Sequence, residues 1–166
     1  MTTPSLFVDG VVVKRTGAAV IYGAGSVGQD VFGVLREAGI QVRCVLDRRA
    51  RAGDTHAGVP MYPLESCPMD RTERAEVPVI IGIFNRSVDI PAVAEQLRAA
   101  GFSRIVSFVG LHAEFGAALG DRFWLTRRDA IIQQRADIRR AESLFADERS
   151  VAVYRSLVAL SFSPAD

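Results

Sequence analysis

The chain is poor in lysine, histidine and cysteine: Lys14, His56 and His112, and Cys44 and Cys67 are all it has in 166 residues. The two cysteines lack Cys-x-x-Cys spacing, which argues against both a zinc knuckle and a disulfide framework. A reduced, cytoplasmic setting is expected. The two histidines stand far apart without partners at ligand spacing, so no metal site is expected. The formal net charge is only +1, so no overall field draws in nucleic acid. No apolar run approaches the roughly 20 residues of a membrane span. The opening residues lack the basic and apolar regions of a secretory leader. The nucleophile elbow Gly-x-Ser-x-Gly is absent, and the single lysine excludes the Tyr-x-x-x-Lys pair of short-chain reductases. No proton-transfer pair emerges, so no catalytic residue is assigned.

What is present is an alternation of strand and helix signals. Hydrophobic residues make up 49% and charged residues 23%, an ordinary globular balance. Residues 6–13 suggest either a small hairpin turning at Asp9-Gly10 or a lead-in. Ala18–Tyr22 is apolar without alternation, as expected of a parallel strand covered on both faces. Val27, Val31, Leu35 and Ala38 share one face of a helix, which Gly39 terminates. Gln41–Leu46 forms the next strand and closes on Asp47. Residues 59–62 can add a short strand, and 65–76 look charged and irregular. An apolar strand follows over 77–83, with Pro78 near its start. A helix over 91–100 and a strand over 103–109 come next. This order implies an α/β fold with an open, Rossmann-like parallel sheet and helices on both faces.

After residue 110 the signals are helical only. A short helix over 111–119 is expected, then one capped at Thr126, with Asp129 three residues on, that carries Ile131, Ile138, Ala141 and Phe145. A last helix is capped by Asp147 and bears Val151, Tyr154, Leu157, Val158 and Phe162. Trp124 is expected to anchor this tail. The expected organisation is a lead-in over 1–17, a Rossmann-like nucleotide-binding domain over 18–110 and a helical tail over 111–166.

Gly23, Gly25 and Gly28 match Gly-x-Gly-x-x-Gly directly between a strand and a helix. In that setting the first glycine permits the tight turn, the second lets a pyrophosphate approach the backbone, and the third brings helix and strand together. The turn residues Gly23, Gly25, Ser26, Val27 and Gly28 would present helix N–H groups to an anion. Asp47 follows Gly23 by 24 residues, near where an acid accepts hydrogen bonds from a ribose. Arg48 beside it could instead favour a 2′-phosphate, or simply be a solvated loop residue. Phe84, Asn85 and Arg86 leave the carboxyl end of a central strand, where open α/β sheets bind ligands.

Two resemblances add to this reading. The first half, from Val20-Ile-Tyr-Gly-Ala-Gly-Ser-Val-Gly-Gln-Asp-Val31 through Gly39-Ile-Gln-Val-Arg-Cys-Val-Leu-Asp47, resembles the nucleotide-sugar-binding domains that precede sugar acetyltransferase β-helices. Most of the chain, through Gly101–Val109, Arg122-Phe-Trp-Leu125 and Leu144-Phe-Ala-Asp-Glu-Arg-Ser150, resembles the region ahead of FkbM-type S-adenosylmethionine-dependent methyltransferase domains. The second implies a non-catalytic N-terminal module whose catalytic domain lies elsewhere. NAD(P) or a nucleotide sugar is favoured at the glycines over S-adenosylmethionine. The expected partners are a small nucleotide-type ligand and a downstream catalytic domain, or a second copy through the tail, with neither nucleic acid nor membrane. A small NAD(P)-dependent oxidoreductase and a helix-mediated dimerisation scaffold with an empty glycine motif are the alternatives.

Overall fold

The computed structural model describes residues 6–121 and 135–161. The expectations at Trp124, Thr126, Asp129, Ile131 and Phe162 lie outside these residues, as do the side chains of Ile138, Leu157 and Val158. In chain order the elements are helix α1 (Val11–Thr16), strand β1 (Ala18–Tyr22), α2 (Ser26–Glu37), β2 (Gln41–Leu46), β3 (Thr55–His56) and β4 (Val59–Tyr62). A 3-10 turn at Leu64–Ser66 leads to α3 (Arg71–Glu76), β5 (Pro78–Ile81), α4 (Ile90–Ala99), β6 (Arg104–Val106) and α5 (Phe108–Leu119). Helices α6 (Arg135–Glu142) and α7 (Glu148–Ser161) follow. The chain divides into two compact units, Met1–Glu114 and Phe115–Asp166. Helix α5 departs from helical dihedrals at Phe115.

The six strands lie in the order β3-β4-β2-β1-β5-β6. All neighbours are parallel except the β3–β4 edge pair. The expected Rossmann-like parallel sheet is therefore present. The chain leaves β1 for β2 on one side and returns to β5 on the other. Right-handed crossovers in opposite directions place α2 and α4 on opposite faces. Side-chain alternation agrees with this. Val20, Leu46, Val79, Ile81 and Ile105 share a buried cluster with Ala94 and Leu97 of α4. The intervening Ala19, Ile21, Val45, Ile80 and Val106 are buried too, and α1 and α2 pack against the strands.

Some segments differ from the sequence reading. Of the two readings of residues 6–13, a hairpin at Asp9-Gly10 or a lead-in, neither included the helix α1 that starts there. Asp9 Oδ1 accepts the Val11 N–H at 3.0 Å, Val13 is fully buried, and the Lys14 ammonium reaches Glu114 Oε2 at 3.1 Å. These tertiary contacts outweigh the modest helix propensity of three valines. The last strand ends at Val106 rather than at 109, because Ser107 caps α5: its Oγ accepts the Gly110 N–H at 3.0 Å. The irregular stretch 65–76 contains α3, started by a reciprocal capping box between Asp70 and Glu73. In the second unit α6 ends at Glu142, short of Phe145. Helix α7 begins after Asp147, as the sequence suggested.

Candidate functional site

Counting parallel strands only, the order reverses between β1 and β5. In open α/β sheets the ligand crevice lies outside the carboxyl ends of the strands at such a switch point. Both strands run into glycine there, Gly23 after Tyr22 and Gly82 after Ile81. Gly23 takes φ +103°, a conformation that side chains disfavour. A Cβ on Gly28 would lie 1.9 Å from the Gly23 carbonyl oxygen, and one on Gly82 would lie 2.9 Å from Gly28 Cα. The three glycines thus pack backbone against backbone and set α2 close to β1 and β5.

Gly25 differs from these. Its φ is −70°, it is the N-cap of α2, and no side chain caps the helix. A Cβ there would meet no atom within 4 Å. The exposed Gly25 and Ser26 therefore border open space. They lie where the first-turn N–H groups of Ser26, Val27 and Gly28 lack intrahelical acceptors. An anion of phosphate type fits this cradle, because a 12-residue helix adds its dipole to those donors.

Asp47 bridges the end of β2 to this turn. Its Oδ2 accepts the Ala24 N–H at 2.9 Å and its Oδ1 accepts the Arg49 N–H at 2.9 Å. Its own N–H donates to the Tyr62 carbonyl at 3.0 Å. Each carboxylate oxygen keeps a second lone pair, so the clamp leaves acceptor capacity for a hydroxyl. The same acid acts on the Tyr22 phenol through its charge. Burial, and then the Asp47 charge, push its pKa up, with Arg48 opposing.

The remaining predicted site residues are placed unevenly. Arg48 and Arg86 are exposed. The Phe84 ring packs 5.3 Å from the Phe108 ring, which in turn lies 6.3 Å from that of His112. Phe84 and the buried His112 thus belong to an aromatic cluster shared with α5. Asn85 builds its own turn, its Oδ1 accepting the Ser87 N–H at 2.9 Å. His56 is on the edge strand, with its ring 5.0 Å from Phe32 of α2. Among the described residues, no three His, Cys, Asp or Glu side chains gather as a metal site would require. Sequence reasoning missed the packing role of Gly82 and the position of Tyr22; a glycine closing an apolar strand was the available signal for the first.

The chain has the fold of part of a solved methyltransferase. The structure is that of methyltransferase FkbM from Methylobacillus flagellatus KT, with a TM-score of 0.69 and 20% sequence identity. The match covers 96% of this chain and 44% of that one, so this chain spans less than half the length of the methyltransferase. No protein-family model and no curated protein matches the chain. At this identity the likeness shows the fold alone. No helix among the described residues is long and apolar enough to cross a membrane.

Proposed function

We propose that this chain is a nucleotide-binding module that works beside a methyltransferase catalytic domain and does not itself transform its ligand. The observation that carries the proposal is the glycine turn at the β1–β5 switch point. There Gly23, Gly28 and Gly82 are used for packing, while Gly25 stays open before an uncapped helix. The ligand class is a dinucleotide such as NAD(P), or a nucleotide sugar. Its pyrophosphate would sit on the N–H groups of Ser26, Val27 and Gly28, and its ribose hydroxyls toward Asp47. Arg48, directly after Asp47, and Arg86, four residues after Gly82, are exposed cations. The link to a methyltransferase rests on the shared fold and on coverage of 44% of the FkbM protein. An open phosphate cradle with no assigned acid–base pair supports binding over turnover.

The test is a thermal-shift titration with NAD, NADP, a UDP-sugar and S-adenosylmethionine. A ligand at a hundredfold excess over its dissociation constant adds about 2.7 kcal/mol to the folded state. One of the first three is expected to raise the melting temperature. A larger shift with S-adenosylmethionine would reassign the turn to the methyl donor. No shift with any of them would reject nucleotide binding.

A further inference from the structure

A cleft of about 460 Å³ is lined by Arg71 and Arg74 of α3 and by Arg98, Ala100 and Gly101 at the end of α4. Its charged lining is three guanidinium groups and no carboxylate. The arginine stems of α3 meet at Gly101, where a Cβ would lie 3.8 Å from both Arg71 Cγ and Arg74 Cδ. The two lining segments lead into Pro78 of β5 and Arg104 of β6. The cleft therefore lies toward the amino ends of these strands, whereas the glycine turn lies at the carboxyl ends. We propose that this cleft is an anion site that takes a dianionic phosphate group, separate from the glycine turn.

Arg74 is held in place before any ligand arrives. Its Nε donates to the Met69 carbonyl at 2.9 Å, and its terminal nitrogens donate to those of Ala100 at 2.9 Å and Cys67 at 2.7 Å. Its guanidinium carbon stands 5.9 Å from the centroid of the Phe102 ring. An arginine has five N–H groups, so these three bonds leave two for a ligand. Carbonyls solvate the cation without cancelling its charge. The exposed Arg98 donates to the Leu6 carbonyl at 3.1 Å, and the exposed Arg71 makes no hydrogen bond among the described residues. The ion pairs Lys14–Glu114 and Arg155–Glu142 involve other residues. Asp70 and Glu73, which flank Arg71, are tied into the capping box, each accepting the other's backbone N–H at 2.8 Å and 2.9 Å.

Three like charges around one cleft repel one another, and a bound dianion relieves that repulsion. Helix structure accounts for only part of the cluster. Arg74 and Arg98 suit the carbonyl end of α4, but Arg71 belongs to α3 and serves no carbonyl. Guanidinium forks match phosphate oxygens in pairs. The lining comes from two short segments, 69–74 and 98–101. So compact a site fits a phosphate group and not an extended acidic peptide.

The experiment titrates the full chain with inorganic phosphate and, separately, with phenyl phosphate, at an ionic strength held constant with chloride. NMR follows the arginine Nε–Hε and backbone amide resonances. Saturable shifts are expected at Arg71, Arg74 and Arg98 and at the amides of Ala99, Ala100 and Gly101. Arg71→Gln combined with Arg98→Gln should weaken binding about tenfold or more, the loss of one charge-assisted hydrogen bond. Gly25→Ala should leave these shifts unchanged. Tighter binding of phenyl phosphate assigns the cleft to a phosphate monoester; equal or weaker binding assigns it to free phosphate. If the double variant fails to fold, Arg71→Gln alone should weaken binding in the same direction. Shifts confined to the glycine turn, shifts that chloride reproduces, no shift at all, or undiminished binding in the folded variant would overturn the proposal.

Discussion

Asp47 holds the glycine turn through Ala24, whose N–H it accepts at Oδ2 over 2.9 Å. A residue read from the sequence as a ribose acceptor is therefore also a structural clamp between β2 and the first crossover. Removing the clamp in Asp47→Ala should lower the unfolding free energy by about 1.5–3 kcal/mol, the range for hydrogen bonds to a charged group. Asp47→Asn should fall between, since its amide NH2 cannot accept one of the two backbone N–H groups. Urea denaturation of the three proteins measures this. An unchanged midpoint in Asp47→Ala would show that the turn holds without the acid.

Gly25 and Gly28 separate folding from binding. At Gly28 an added methyl meets the Gly23 carbonyl at 1.9 Å, a clash with backbone that cannot step aside. Gly28→Ala should cost about 1–3 kcal/mol or more, as overpacking does. Gly25→Ala points into open space at an ordinary φ of −70°. It should change stability by less than about 1 kcal/mol, the scale of a lost N-cap preference. It should nevertheless remove the ligand-induced thermal shift, because the methyl occupies the approach to the helix N–H groups. A Gly25→Ala protein that still responds fully to the ligand would move the phosphate site elsewhere.

The architecture was legible wherever one short segment carried its own signal. Ala18–Tyr22, the glycine turn and the helix ending at Gly39 are local patterns, and the parallel sheet follows from their repetition. Asp147 was legible for the same reason, as a cap directly before an apolar helical face. The segments that eluded the sequence are those decided at a distance. Gly10 adopts its place because a Cβ there would lie 2.5 Å from the Gly110 carbonyl oxygen. Nothing in Val11–Thr16 announces that contact, or the pairing of Lys14 with Glu114. The shared burial of Cys44 and Cys67 in one cluster and the packing of Phe84 against Phe108 likewise exist only after the crossovers are made. The capping box of α3 was written in Asp70 and Glu73, but a six-residue helix carries too little apolar periodicity to draw notice.

Arg74 ties three segments together. Its Nε donates to the Met69 carbonyl at 2.9 Å, one terminal nitrogen to Ala100 at 2.9 Å and the other to Cys67 at 2.7 Å. The carbonyls come from the approach to α3 and from the end of α4, so the side chain joins both halves of that face. Arg74→Ala should destabilise by roughly 2–3 kcal/mol, because three carbonyls lose a charged donor. Arg74→Lys should recover less than half, since an ammonium lacks the planar fork that serves all three. Chemical denaturation of both variants checks the order. Equal stability of Arg74→Lys and wild type would mean that charge alone matters there.

In the second unit, Asp147 caps α7 by accepting the Ser150 N–H at Oδ1 over 2.9 Å and the Ser150 hydroxyl at Oδ2 over 2.7 Å. These bonds, the backbone one foremost, hold its carboxyl below the ordinary value of 3.8. A lowered folded value fixes the sign: the ionised form is the one the fold favours. Its contribution is complete above about 3.8 and is lost as pH falls through the lower folded value. The site is fully exposed, so the effect belongs to the first turn of α7 and not to global stability. An NMR titration should place the Asp147 carboxyl midpoint below 3.8, with the Ser150 amide resonance moving in step. Asp147→Asn should keep the helix start, because asparagine caps well, but abolish the movement of Ser150 in that pH range. A midpoint at or above the ordinary value would show that the cap does not persist in solution.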